Sequence, residues 1–247
     1  MPPCVRRFER TIPVHVLARE ADLTRTQREG LGKIETLTLL GVAQETTTSI
    51  PATPATDRRI DAVLFVRASL GNTRALESTA TVVHACFPHP SVLILENARG
   101  DVCLSAALTS RRKRATGFAV NAMEADSDIG SWRRTEQGKA FLSSLAFETL
   151  DQRSLAHLTQ DIMARIRLAR VARLVGFYPD PGLCRTPDVV AVIERLLECQ
   201  GRQDRLRARW KAHGTTQRER LRLRIPLSEA IDQTKAAVDE LTRRCGR

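Results

Sequence analysis

The stretch Ile60-Asp61-Ala62-Val63-Leu64-Phe65-Val66 decides the fold class of this chain. It is apolar at every position but Asp61, and a nearly continuous apolar run of this length is typical of a strand covered on both faces. We therefore predict a strand of a covered sheet at residues 60–66.

The residues that follow predict a helix, a strand, a turn and another strand. Asn72 is a candidate helix cap, and Pro88 and Pro90 end the helix. The buried stripe of this helix is predicted to contain Leu76, Thr79 or Ala80, Val83 and Phe87. Residues 91–95 and 102–108 are apolar runs on either side of a turn, and residues 118–123 add a further strand.

The sequence patterns on either side of this unit are less regular. Residues 11–17 indicate a short extended element, and Thr24 caps a helix that stops at Gly41. The apolar positions of that helix are Leu31, Ile34, Leu37 and Leu40. Residues 45–59 predict a loop with a short strand near Ile50, and residues 110–117 and 124–140 predict a long surface loop.

The second half of the chain has helical periodicity. From Ser154, apolar residues recur at spacings of three and four until Gly176: Leu155, Leu158, Ile162, Ile166 and Ala169. A heptad seam follows, with Gln203 as its polar member: Val189, Val192, Leu196, Cys199, Gln203, Leu206 and Trp210. After a break at residues 213–216, Pro226 and Ser228 mark the start of a second seam: Leu227, Ile231, Thr234, Val238, Leu241 and Cys245.

These patterns predict an α/β (α+β) domain with a small mixed sheet at residues 1–150. A helical region at residues 151–247 follows it. Two seams joined by a breaker predict a coiled-coil-like antiparallel hairpin at about residues 188–245. The sequence leaves open whether two copies of the chain pair through this hairpin.

Composition narrows the class of protein. The chain has 247 residues, a formal net charge of +11 and a pI of about 10.2, which favours a polyanionic partner. Its six cysteines form no Cys-x-x-Cys pair, which is typical of reduced thiols inside the cell. Because the chain begins without a signal-like apolar run and has no stretch of about 20 apolar residues, we expect a cytoplasmic protein without a membrane partner.

Catalytic motifs are not evident. The glycines form no phosphate-binding loop, and no nucleophile elbow is present, so we predict no catalytic residue and no cofactor. The spacing of His84, Cys86, His89 and Cys103 fits no usual zinc pattern, so we predict no metal site. The alternative function is a metal-dependent nuclease, which requires clustered carboxylates. The candidates for such a cluster are Asp61, Glu77, Glu96 and Asp101.

The basic residues are concentrated between Gly201 and Arg224. This segment has nine basic residues against two acidic ones, Asp204 and Glu219, which gives it a net charge of +7. The guanidinium group of arginine can donate two hydrogen bonds at once to phosphate or carboxylate oxygens. This segment is therefore the candidate binding site for DNA or an acidic protein. The predicted contact residues are Arg202, Arg205, Arg209, Arg218, Arg220, Arg222 and Arg224. A second, weaker patch contains Arg111, Arg112 and Lys113.

The conformation of residues 218–224 stays open at this point. Arginines alternate there with other residues, so an extended segment would place them all on one face. A helix would spread the same arginines around its axis.

The order of these elements resembles a bacterial family, domain of unknown function 4391. The resemblance rests on Thr11-Ile12-Pro13, the turn at residues 46–50, the hydrophobic strand, the Phe87-Pro88-His89-Pro90 junction and the late charged hairpin. It extends from about Arg10 to Arg244. The resemblance implies a gene neighbourhood with helicase-like and DNA-methyltransferase subunits, in antiviral defence or restriction-like clusters. It implies no catalytic residues.

We therefore expect a non-enzymatic accessory or scaffold subunit of a bacterial antiviral defence system. Its arginine-rich hairpin is expected to bind either the DNA backbone or a helicase or methyltransferase subunit of the same system.

Overall fold

The N-terminal part of the chain forms a six-stranded mixed sheet. The structure is a computed structural model that describes residues 6–20, 23–53, 59–111 and 118–246. The strands follow one another across the sheet in chain order. They are β1 (Arg6–Thr11), β2 (Ile34–Gln44), β3 (Ala62–Leu70), β4 (Ser91–Asn97), β5 (Val102–Arg111) and β6 (Phe118–Asp126). Strands β3 and β4 are parallel, and the other neighbours are antiparallel. The predicted mixed α/β fold class is confirmed.

Nine α-helices accompany the sheet in the described residues. They are α1 (Val14–Glu20), α2 (Arg25–Leu31), α3 (Glu45–Thr48), α4 (Leu76–Ala85), α5 (Ile129–Trp132), α6 (Glu136–Ser144), α7 (Leu155–Val175), α8 (Pro187–Lys211) and α9 (Gln217–Cys245). The chain divides into two compact units, Met1–Ala169 and Arg170–Arg247. None of the helices in the described ranges is long and apolar enough to cross a membrane.

The central β3–α4–β4 crossover is built as its sequence predicts. Helix α4 buries all of its predicted stripe, and Phe87 beyond its end is buried as well. The core also contains Val66, Leu93 and Leu95 from the parallel strands. Asn72, however, is not the cap of α4: the N-cap is Ala75, and the side chain of Asn72 accepts a hydrogen bond from Arg99.

The predicted helix over residues 24–40 is wrong beyond Leu31. Thr24 does cap α2 with a capping box, but the residues from Ile34 form β2. A register shift between Ile34 and Thr36 adds one residue to the strand, so that Ile34 and Leu37 are both buried although they are three apart. This bulge gives a strand the spacing of a helix face. Gly41 lies inside the strand, at a second shift.

Three other segments differ from their predictions. Residues 14–17 are helical, not extended, and residues 45–48 form the short helix α3. The predicted loop over residues 124–140 contains the end of β6, α5 and the start of α6.

Trp132 stacks on Phe141 with ring centroids 5.7 Å apart. A Cβ at Gly138 would lie 2.3 Å from the carbonyl oxygen of Trp132, so this close approach requires glycine.

The helical periodicity downstream of residue 154 is confirmed for α7. All five of its predicted apolar positions are buried, and the helix ends before Gly176, whose φ is +82°. Within the second unit, α8 and α9 pack as an antiparallel hairpin, in which Arg195 of α8 pairs with Glu240 near the end of α9. The prediction of a helical hairpin is therefore confirmed.

The start and the seam of α9 are different from the prediction. Thr216, not Ser228, caps this helix, and Pro226 lies inside it. The buried positions of α9 are Ala230, Thr234, Ala237, Leu241 and Cys245, whereas Ile231 is exposed. Residues 218–224 are consequently helical, and the extended alternative is wrong. A capping box at Thr216 and Glu219 starts the helix before the proline.

Candidate functional site

The arginines of α8 form a stripe. Arg202, Arg205 and Arg209 are three and four residues apart, so they share one side of the helix. All three are exposed. At 1.5 Å per residue, the stripe is about 10 Å long.

A cleft at the tip of the hairpin joins this stripe to α9. Its volume is about 320 Å³, and Arg209 and Arg222 both line it. The remaining lining residues are Ala212, Thr215, Glu219 and Leu223. The tight turn between α8 and α9 thus brings two guanidinium groups, 13 residues apart in the chain, to one concave surface.

The four predicted arginines of α9 lie on two flanks of the helix. Arg222 lines the cleft, and Arg218, four residues earlier, lies on the same flank of the helix. Arg220 and Arg224 are also four apart, and the helical period places them on the other flank. All four side chains are exposed. The cleft therefore brings Arg209 and Arg222 together. Helical spacing places Arg202 and Arg205 on the same side of α8 as Arg209, and Arg218 beside Arg222 on α9. Arg220 and Arg224 lie on the other flank of α9.

The two acidic residues of the segment do not form ion pairs with these arginines in the described structure. Asp204 accepts hydrogen bonds of 3.0 Å from the amide of Gln200. Glu219 accepts hydrogen bonds of 2.9 Å from the backbone N–H and the hydroxyl of Thr216. These bonds, followed by the nearby charges of Arg209 and Arg222, lower the pKa of Glu219. The positive charge of the tip is therefore not neutralised by direct contacts.

Arg207 has a different role from its neighbours. The side-chain amide of Gln203 is oriented so that both its nitrogen and its oxygen form hydrogen bonds. The amide nitrogen donates to the Thr234 hydroxyl (3.2 Å), and the amide oxygen accepts from the Arg207 guanidinium (2.9 and 3.0 Å). Gln203 and Thr234 are buried, so this network ties α8 to α9 across the seam. Gln203 thus pairs one position of α8 with one of α9, as a register-setting residue would.

The positive surface weakens away from the tip. A second groove of about 480 Å³ contains Arg195 and Arg202, but Glu198 and Glu240 line it too. Glu240 pairs with Arg195 and with Arg244. The excess of unpaired arginine is therefore greatest at the hairpin tip.

The second predicted basic patch falls almost entirely outside the described residues. Arg111 is the last residue of β5, and Arg112 and Lys113 lie beyond the described range.

The carboxylates considered for a nuclease each have a separate neighbour. Asp61 lies 3.2 Å from His89, Glu77 accepts a hydrogen bond from Ser127, and Glu96 pairs with Arg67. Asp101 accepts a hydrogen bond from Asn97. Across the described residues, no three His, Cys, Asp or Glu side chains converge to hold a metal ion. The geometry therefore offers the nuclease hypothesis no support.

His84 is a buried core residue. Its ring nitrogens lie 2.6 Å from the Ser91 hydroxyl and 2.9 Å from the Ser105 hydroxyl. Burial lowers the pKa of His84 to about 3, so the ring is neutral at physiological pH. Burial also raises the pKa of Cys103 to about 12, which leaves this thiol protonated.

Sequence reasoning found the arginines but missed the cleft. The existence of the cleft depends on where α9 begins, and the sequence pattern places that start about ten residues too late. The Thr216-x-x-Glu219 capping box is the signal that could have placed it.

Comparison with known proteins gives one family. Residues 3–230 match the family described as Domain of unknown function (DUF4391), a range that includes the sheet and the hairpin tip. No curated protein and no solved structure matches the chain.

Proposed function

We propose that this chain, which belongs to the DUF4391 family, is a non-enzymatic DNA-binding accessory subunit that holds the DNA backbone with the tip of its hairpin. One observation carries the proposal. Seven exposed arginines lie at or near the tip of a two-helix arm, and none of them forms an ion pair within the described structure. They are Arg202, Arg205, Arg209, Arg218, Arg220, Arg222 and Arg224.

The spacing of these arginines suits a phosphate backbone. The stripe of Arg202, Arg205 and Arg209 is about 10 Å long, close to three steps of about 3.4 Å along one DNA strand. Arg222 adds a guanidinium from the other side of the cleft. Arginine binds phosphate oxygens with two parallel hydrogen bonds, so this surface favours DNA over a diffuse attraction to anions.

The biological setting of the proposal follows from the family resemblance. The resemblance implies a gene neighbourhood with helicase-like and DNA-methyltransferase subunits, and from it we infer a cytoplasmic part in a bacterial antiviral defence system. In such a complex, a subunit that binds backbone without reading bases would hold the DNA while its partners act on it.

Salt dependence of DNA binding tests the proposal. We expect the wild-type chain to bind a duplex of about 20 base pairs with a steep decrease in affinity between about 50 and 300 mM salt. Four arginines changed to glutamine should lower the slope of log K against log salt by about 3 to 4, which is about 0.9 for each lost phosphate contact. The four changes are Arg202→Gln, Arg205→Gln, Arg209→Gln and Arg222→Gln.

A control with equal net charge separates location from total charge. It carries four exposed arginines of the first unit changed to glutamine: Arg10→Gln, Arg28→Gln, Arg74→Gln and Arg134→Gln. This control should keep the wild-type slope to within about one. Equal losses in both variants, or no binding by the wild-type chain at moderate salt, would overturn the function.

A further inference from the structure

Helix α9 exposes two large apolar side chains on its outer side. Leu221 is 62% exposed and Ile225 is 69% exposed, and no other large apolar residue in the described ranges is as exposed. They are four residues apart and therefore adjacent on the helix surface. The buried positions of α9, such as Ala230 and Thr234, point in another direction along the helical period.

Arginines border this apolar pair. Arg218 precedes Leu221 by three residues, and Arg222 precedes Ile225 by three. Arg224 follows Leu221 by three, on the opposite side of the pair. The patch ends at Ser228 and Glu229, which are polar. It is therefore an apolar centre with a positive border.

We propose that Leu221, Ile225 and their bordering arginines form a docking site for an acidic amphipathic helix of a partner protein. The apolar side chains of the partner would cover Leu221 and Ile225, and its carboxylates would pair with Arg218 and Arg224. Apolar anchors of this kind, spaced as on one helix face, are how helices recognise a protein surface.

Charge complementarity selects this occupant. A DNA backbone is contacted mainly through hydrogen bonds to its phosphate and sugar oxygens, so it would cover two aliphatic side chains less completely than the apolar face of a helix would. A second copy of this chain that docks through the same patch would bring its own arginines against Arg218 and Arg224, which would be repulsive. A membrane-binding helix requires an apolar face along its length, and here the face is two residues long.

This inference goes beyond DNA binding and does not depend on it. Arg218 and Arg224 are common to both proposals, but Leu221 and Ile225 are not among the predicted phosphate contacts, so changing the apolar pair separates docking from DNA binding.

Peptide binding tests the docking site on the full-length chain. The probe is a peptide of about 18 residues with leucines at positions i, i+3, i+4 and i+7, glutamates beside them and alanines at the remaining positions, which favour a helix. A second peptide has lysine in place of every glutamate. We expect the wild-type chain to bind the acidic peptide and not the basic one, as measured by fluorescence anisotropy.

Two variants define the result. Leu221→Ser with Ile225→Ser should weaken binding of the acidic peptide about tenfold or more, while DNA affinity stays within about twofold. Arg218→Glu with Arg224→Glu should reverse the preference, so that the basic peptide binds better. Circular dichroism checks that both variants keep their helix content.

A matched control removes other exposed apolar residues. Leu142→Ser with Leu183→Ser changes side chains that are 45% and 49% exposed and lie elsewhere in the chain, and it should leave peptide binding unchanged. The docking site is overturned if the acidic peptide fails to bind, if Leu221→Ser with Ile225→Ser binds it as well as wild type does, or if the control loses as much. Binding of vesicles with anionic lipid that depends on Leu221 and Ile225, without peptide binding, would also overturn it in favour of a membrane surface.

Discussion

The carboxylate of Glu219 stabilises the start of α9 and should oppose the proposed binding of DNA. It closes the capping box of α9 by accepting two hydrogen bonds from Thr216, yet it lines the cleft with Arg209 and Arg222. Glutamine is also accepted at the third position of a capping box. We therefore expect Glu219→Gln to raise DNA affinity by about three- to tenfold, because one negative charge leaves the phosphate site. Anisotropy titration at fixed salt measures this change.

Alanine at the same position separates the two effects. Glu219→Ala should also raise DNA affinity, but it should lower the free energy of unfolding by about 1 kcal/mol because half of the capping box is lost. Weaker DNA binding by Glu219→Gln would mean that the cleft does not contact phosphate.

His84 makes the fold sensitive to acid. In the unfolded chain its imidazole takes up a proton near the ordinary histidine pKa of 6.5, whereas burial lowers the pKa of His84 in the folded chain to about 3. Between these values the unfolded state binds one more proton, so stability decreases as the pH falls through this window. We expect a decrease from pH 7 to pH 5 to cost about 2 kcal/mol through this residue.

Urea unfolding at the two pH values measures this loss. His84→Asn keeps a side chain that can hydrogen-bond with Ser91 or Ser105 but does not titrate. Its stability should change by about 2 kcal/mol less than that of wild type between the same pH values. An identical pH dependence in both proteins would show that His84 is not the group responsible.

Pro226 weakens α9 from within. It has no N–H to donate to the carbonyl of Arg222, and a proline inside a helix costs about 3 kcal/mol relative to alanine. We expect Pro226→Ala to raise the free energy of unfolding by about 1 to 3 kcal/mol, measured by urea denaturation. Ser228→Ala is the control, because Ser228 does not cap the helix, and it should change stability by less than about 0.5 kcal/mol. Loss of stability in Pro226→Ala would show that the proline ring packs in the seam.

The elements that the sequence predicted well have long, regular patterns. Helices α7 and α8 repeat their apolar residues over several turns, and β3 is a nearly unbroken apolar run. Strand β2 was mistaken for a helix because its bulge places Ile34 and Leu37 on one face at a helical spacing. A bulge depends on pairing with β3, and such a tertiary contact leaves no local signal.

The start of α9 was misplaced for a different reason. A proline commonly marks a helix boundary, but the capping box at Thr216 and Glu219, about ten residues earlier, is the stronger local signal. This one error concealed the candidate site, because Arg209 and Arg222 converge only when residues 217–225 are helical. The arginine-rich segment could be found from charge alone, but the convergence of Arg209 and Arg222 at one cleft could not.

Over the whole chain, the charge is uneven. Residues 201–224 have a net charge of +7, which leaves +4 of the total +11 for all other residues. A localised charge of this size attracts a polyanion to one end of the hairpin and speeds its association at low salt. We therefore expect the charge at the hairpin tip to matter more for the proposed DNA binding than the high pI of the whole chain does.

The composition of the whole chain also predicts which form of DNA binds better. Aromatic residues make up 4% of the chain, and Trp210, the one aromatic residue after residue 187, is half-buried in the predicted seam of α8. Proteins that prefer single strands gain about 1 to 3 kcal/mol for each base that stacks on an aromatic ring, and this surface offers no such platform. The charge of the DNA backbone should then decide which form binds more tightly, and duplex DNA has the higher charge density.

We therefore expect a duplex of about 20 base pairs to bind roughly five- to tenfold more tightly than a single strand of equal length, with a steeper salt slope. Trp210→Leu should leave the affinity for the single strand within about twofold of wild type, because the indole supplies no stacking. Tighter binding of the single strand that is lost in Trp210→Leu would contradict backbone binding and would place a base on Trp210. Since the variant changes no charge, a loss of that kind could not be attributed to phosphate contacts.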